Sequence, residues 1–133
     1  MYSEPDTSIP QNGYYNETLS YDLNGNITNL KRSEGLLTGS TTAMTIDDLS
    51  YSYTGNRLNS VTDLSGQYNG YSDTSGNTIP YDLNGNMTSH VDKGILGIDY
   101  NFLNLPSSLL FNAGLSTRTG ILRNNTSYLY RAD

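Results

Sequence analysis

The residues whose types and spacing could do chemistry are a set of oxygen ligands, one histidine and one acidic pair. Asp22-Leu23-Asn24-Gly25-Asn26 places side-chain oxygens at alternate positions, as a calcium-binding loop begins. Such a loop needs its glycine sixth and a bidentate acid twelfth. Here glycine is fourth, Ser33 is twelfth, and Lys93 takes that place in a second copy of the motif. Turn chemistry is the better account of these residues. His90 is the only histidine, with Ser89 and Asp92 beside it in sequence. On a strand, adjacent residues point to opposite faces, so the expectation is an exposed strand histidine and no nucleophilic triad. Asp47-Asp48 is the only adjacent acidic pair, and neighbouring strand residues diverge too far to act as paired carboxylates on one sugar. Asp22, Asp63, Asp82 and Asp99 fall at expected turns or strand ends and suit solvated or capping roles. Cysteine is absent, which excludes thiolate chemistry and disulfides. No glycine cluster opens a helix to cradle phosphate. The chain is therefore expected to be non-enzymatic, with no catalytic set, no cofactor and no metal.

Composition narrows the partners. The 133 residues carry seven Lys and Arg against thirteen Asp and Glu, a net charge of −6. No basic stripe exists to follow a phosphate backbone, so nucleic acid is not an expected partner. No apolar run approaches the roughly 20 residues that span a bilayer, and the first residues do not read as a signal peptide. Twelve tyrosines and no tryptophan suit half-buried sheet surfaces, with the ring packed and the hydroxyl in water.

The elements that would position these side chains come from an internal repeat. Tyr21-Asp22-Leu23-Asn24-Gly25-Asn26-Ile27-Thr28 recurs 60 residues later as Tyr81-Asp82-Leu83-Asn84-Gly85-Asn86-Met87-Thr88, identical at seven of eight positions. Tyr53-Thr54-Gly55-Asn56-Arg57-Leu58 is a contracted copy, and Tyr100-Asn101-Phe102-Leu103-Asn104-Leu105 a diverged one with asparagine in the glycine place. A further copy starts at Tyr130-Arg131-Ala132-Asp133. Recurrence of this kind marks a repeat architecture.

Each unit reads as a hairpin. Leu49, Tyr51 and Tyr53 alternate with Ser50 and Ser52, the period of a strand with one buried face. Asp22 suits the first position of a type I turn, and Gly25 a left-handed G1 bulge; Asn24-Gly25 as a type I′ turn is the competing assignment. Ile27 and Leu30, like Leu58 and Val61, are three apart, which strict alternation forbids and a bulge permits. Glycine-bearing stretches over 33–42 and 64–78 are expected connections, and 36–48 is the one place for a short helical turn. The expected fold is all-β: about ten short strands in five consecutive antiparallel hairpins, forming one curved, twisted sheet over 13–133 after an irregular segment 1–12.

The octamers resemble the YD repeats of RHS proteins, the family that includes insecticidal toxin-complex C components and teneurins. The resemblance covers roughly 13–133. It implies hairpins that spiral into part of a hollow β shell, a structural role in a secreted or cell-surface protein of bacterial polymorphic-toxin type. The implied partners are neighbouring repeats of a parent chain and an enclosed toxin cargo. The family's C-terminal core signature is missing, so the chain reads as a fragment whose last hairpin is truncated. The resemblance makes Tyr21, Asp22, Gly25, Asn26, Tyr53, Gly55, Tyr81, Asp82, Gly85, Asn86, Tyr100 and Asn104 structural repeat residues.

A second reading is an adhesive module that stacks glycans on Tyr14, Tyr15, Tyr51, Tyr53, Tyr68, Tyr71, Tyr81 and Tyr100. A ladder of tyrosines between successive hairpins is preferred, because they recur at one place in each unit. Open sheet edges also make self-association expected.

Overall fold

A computed structural model describes residues 13–35, 41–67, 69–72, 75–114 and 124–130. The segment 1–12, Tyr68 and the last copy beyond Tyr130 lie outside these residues. The chain is all-β and built from antiparallel hairpins. Strands β1 (Glu17–Tyr21), β2 (Ile27–Glu34), β3 (Met44–Thr54) and β4 (Arg57–Asp63) form one sheet in chain order. Strands β5 (Ile95–Tyr100), β6 (Pro106–Phe111) and β7 (Thr126–Ser127) form another. A 3-10 helix, Val91–Lys93, precedes β5.

The expected single sheet of about ten strands is thus seven strands in two sheets among the described residues. The interruption falls on the second octamer, whose arms share the isolated bridge between Tyr81 and Met87 in place of a strand ladder. Pro80 enters that arm without an N–H to donate, which removes one possible ladder bond there. Single hydrogen bonds still carry the pairing across the gap. Ile79 N–H donates to the Asn59 carbonyl at 2.7 Å, and Thr88 N–H to that of Pro80 at 2.9 Å. Ile98 N–H then donates to the Thr88 carbonyl at 2.8 Å.

The helical turn expected over 36–48 does not form in the described part of that stretch, where β3 begins at Met44. Thr45 and Ile46 are β-branched and favour the extended chain. The short helix lies at Val91–Lys93 instead, closed by Gly94 at φ +70°.

Bulges account for the three-residue apolar spacings. Ser20 pairs with Asn29 and Tyr21 with Ile27, which leaves Thr28 as an extra residue. Asn59 is extra between β3 and β4, and Ser107 between β5 and β6. In each of these hairpins the extra residue directly follows the partner of the repeat tyrosine, Ile27 for Tyr21, Leu58 for Tyr53 and Pro106 for Tyr100. It returns Leu58 and Val61 to one face, where a core of Leu49, Val61 and Tyr71 packs with Leu30, Tyr51 and Leu58. Burying each such aliphatic side chain stabilises the sheet by about 1.5–3 kcal/mol.

Candidate functional site

The repeat residues build a rim of turns. In the first octamer Gly25 N–H donates to the Asp22 carbonyl at 3.1 Å, and Gly25 has φ +85°. Asn24 lacks the positive φ that a type I′ turn requires, so the turn is type I with a G1 bulge. The Asp22 carboxylate accepts from the N–H groups of Asn24 and Asn26, both at 2.8 Å, and from Asn26 Nδ2 at 2.9 Å. The second octamer repeats this set on Asp82, with Gly85 at φ +87°. The Asn26 side-chain and backbone N–H groups hold the Asp22 carboxyl below its usual range, and those of Asn86 do the same for Asp82. These oxygens cap the turn, and among the described residues no group of three acidic or histidine side chains could hold a metal ion.

Asn101 repeats the cap in the diverged copy, accepting from Leu103 and Leu105 N–H at 2.9 and 3.1 Å. Asn104 takes the left-handed place at φ +57°, which asparagine tolerates better than most side chains. In the contracted copy Gly55 and Asn56 link the Thr54–Arg57 pair, with Gly55 alone at positive φ, as in a type II′ turn. Neighbouring turns are tied through amides: Asn26 Nδ2 donates to Asn56 Oδ1 at 3.1 Å, and Asn84 Nδ2 to Asn104 Oδ1 at 3.0 Å.

Four of the five tyrosines that open the copies, all but Tyr21, share one further bond. Tyr53 Oη donates to the Ile27 carbonyl at 2.9 Å. Tyr81, Tyr100 and Tyr130 donate at 2.8 Å to the carbonyls of Leu58, Met87 and Pro106. Each hydroxyl therefore ties its hairpin to the residue that pairs with the repeat tyrosine of the hairpin before it. The sequence expectation left these hydroxyls in water; they bond backbone carbonyls instead, which pairs both groups where neighbouring hairpins meet. Burial, then the charge of Asp22, raises the Tyr53 phenol above its ordinary pKa, and Tyr100 responds alike to burial and Asp82. Of the eight rings considered for glycan stacking, Tyr15 is exposed, Tyr14, Tyr51, Tyr53, Tyr81 and Tyr100 are half-buried, and Tyr71 is buried. Tyr68 lies outside the described residues.

Two buried carboxylates were not foreseen. Asp47 is fully buried beside half-exposed Asp48. It accepts from Arg32 Nε at 2.6 Å and from Tyr71 N–H at 2.5 Å, and Arg32 Nη2 closes the ion pair. The chain can approach this closely only because residue 70 is glycine. A Cβ on Gly70 would meet Asp47 Oδ1 at 2.2 Å and the Ile46 carbonyl at 2.4 Å. Asp48 pairs instead with Lys31 at 3.0 Å, so the two acids diverge. Extending the Leu49, Tyr51, Tyr53 alternation back two residues reaches Asp47, the signal that could have found it.

Asp92 is 1% exposed at the joint between the sheets. It accepts from Asn77 Nδ2 at 2.5 Å and from Tyr71 Oη at 3.3 Å. Tyr71 Oη also lies 3.1 Å from His90 Nε2. A carboxylate only accepts, so Tyr71 donates to Asp92 and takes the proton of a His90 Nε2–H tautomer. The expectation of an exposed strand histidine is thereby corrected. His90 is half-buried at the cap of the 3-10 helix, and its ring bonds Tyr71, not Ser89. Burial lowers its pKa, with Lys93 acting the same way and Asp92 opposing. Lys93 Nζ stands 3.6 Å over the Tyr71 ring.

Burial, then the Asp92 charge, pushes the Tyr71 phenol far above neutrality, so it is neither a ready base nor a nucleophile. Its geometry suits a weld, with the ring in the core of the first sheet and the hydroxyl on the entry to the second. No protein family, curated protein or solved structure matches this chain. Among the described residues no helix is long and apolar enough to cross a membrane.

Proposed function

We propose that the chain is a non-catalytic segment of a YD-type β scaffold, a stretch of shell wall in a secreted or cell-surface RHS-type protein. The observation that carries this reading is the tyrosine ladder. Four hydroxyls make the same bond to the preceding hairpin, at 2.8 to 2.9 Å, through the contracted and diverged copies as well as the second octamer. Such a bond is made between units, so selection on it is selection for stacking. The Asp22 and Asp82 oxygens accept from their own turns, a structural use that fits a scaffold. Neighbouring repeats and an enclosed cargo are the partners this role entails.

The test is twofold. The coding sequence flanking this frame is expected to hold further Tyr-Asp-x-x-Gly-Asn units in phase; flanks without them would remove the scaffold reading. The purified chain is expected to show no hydrolase turnover. Turnover lost on changing Tyr71, His90 or Asp92 in a folded variant would make it an enzyme.

A further inference from the structure

Between the contracted turn and the second octamer lies an open cleft of about 500 Å³, lined by Thr54, Asn56, Arg57, Asn59 and Tyr81. That volume falls within the range of small-molecule sites, about 300–1,000 Å³. Arg57 dominates its chemistry. Lys31 and Arg32 each face an aspartate, whereas Arg57 is exposed and has no carboxylate within ion-pair distance among the described residues. Its guanidinium lies 4.9 Å from the centroid of the Tyr81 ring. That ring is fixed in turn by the bond from Tyr81 Oη to the Leu58 carbonyl at 2.8 Å. Stacking of this kind holds the donor fork in place and lowers the entropy lost when an anion docks.

The other groups are complementary and unspent. Asn56 uses its Oδ1 to accept from Asn26, which leaves its Nδ2 donors free among the described residues. Asn59 donates from Nδ2 to Thr54 Oγ1 at 2.7 Å, which leaves Asn59 Oδ1 as an acceptor. A planar cationic fork with one amide donor and one amide acceptor beside it matches a small carboxylate that also carries hydroxyl groups. We propose that this cleft binds an acidic saccharide unit, a uronate, with Arg57 taking the carboxylate and Asn56 and Asn59 the ring hydroxyls. This differs from glycan stacking on tyrosine faces, since Arg57 covers one face of Tyr81 and the ring serves as its mount. The net charge of −6 opposes acidic ligands at a distance. That field is screened over about 8 Å in physiological salt, so recognition rests on contact geometry. An open, polar cleft implies weak binding of one unit, with a dissociation constant on the order of 1 mM.

The experiment is an amide NMR titration of the full chain with D-galacturonate, D-galactose and inorganic phosphate. Galacturonate is expected to give saturable shifts at Thr54, Asn56, Arg57 and Asn59, with galactose and phosphate at least about tenfold weaker. Arg57→Gln is expected to weaken galacturonate by about tenfold while the rest of its spectrum stays as in the parent. Arg57→Lys, which keeps the charge and loses the fork, should fall between, and it decides the matter should Arg57→Gln not fold. An equal response to galactose would show that the carboxylate is irrelevant. An equal response to phosphate would reduce the cleft to a general anion site. Either result, absence of saturable shifts, or full binding by the Arg57 variants overturns the proposal.

Discussion

The hydroxyl of Tyr81 donates to the carbonyl of Leu58 at 2.8 Å, across the junction where regular strand pairing stops. Ladder bonds are scarce there, so this side-chain bond contributes a larger share of the local connection than its equivalents elsewhere. Tyr81→Phe keeps the ring under Arg57 and removes only the hydroxyl. A net loss of about 1 kcal/mol is expected, read as a lower urea midpoint with an unchanged m-value. Tyr53→Phe, inside the continuous first sheet, should cost no more than Tyr81→Phe. The reverse ranking would show that the ladder does not bridge the junction.

The turn glycines separate conformational cost from contact cost. A Cβ on Gly25 would meet nothing within 4 Å. Gly25→Ala should therefore cost only the left-handed backbone penalty, roughly 1–2 kcal/mol. On Gly85 the Cβ would stand 3.2 Å from Arg57 Nη2, which must shift from its place over the Tyr81 ring. Gly85→Ala is therefore expected to lose slightly more than Gly25→Ala in thermal unfolding. Leu23→Ala, one residue from the same turn tip and fully exposed, is the control and should change stability little.

Much of this hairpin was legible in the sequence, for physical reasons that can be named. Asp22 and Gly25 at a fixed offset are turn chemistry, and the three-residue step from Leu58 to Val61 needs a bulge to share a face. In the described part of 36–48 the expected helical turn gives way to strand, because Thr45 and Ile46 favour extension. Tyr71, Asn77, His90 and Asp92 could not be joined from sequence. Their meeting depends on the path of 64–94, where no period of two or of 3.6 sets which way a side chain points. Pro80 was visible in the sequence, and it stands in the stretch where one expected sheet divides into two.

Close approach at Gly70 gives a harsher prediction. Gly70→Ala would press a methyl group against the Asp47 carboxylate and the Ile46 carbonyl, and backbone cannot yield as a flexible side chain does. The expected loss is about 1–3 kcal/mol. Asp47→Ala leaves Tyr71 N–H without its buried acceptor and should cost a similar amount, about 1–3 kcal/mol. Arg32 is about half exposed and can return its charge to water, which keeps the loss below that of a fully buried pair. The double variant Gly70→Ala with Asp47→Ala should lose less than the sum in denaturant unfolding, because removing the carboxylate relieves part of the clash.

Acid should loosen the joint between the sheets before it opens the turns. Burial holds the folded pKa of His90 below its ordinary 6.5, so protons bind the unfolded chain more readily than the folded one. The contribution of neutral His90 is complete above pH 6.5 and declines as pH falls below that value toward the folded pKa. Asp22 and Asp82, held below their ordinary 3.8, contribute fully above pH 3.8 and lose that contribution only as pH falls through their folded pKa values. Melting temperature measured from pH 8 downward is expected to be level, then to decline from about pH 6.5, with a further fall below pH 4. His90→Gln retains an N–H donor for Tyr71 and cannot titrate. It should abolish the first decline and leave the second; persistence of the first would move the acid-sensitive group away from His90.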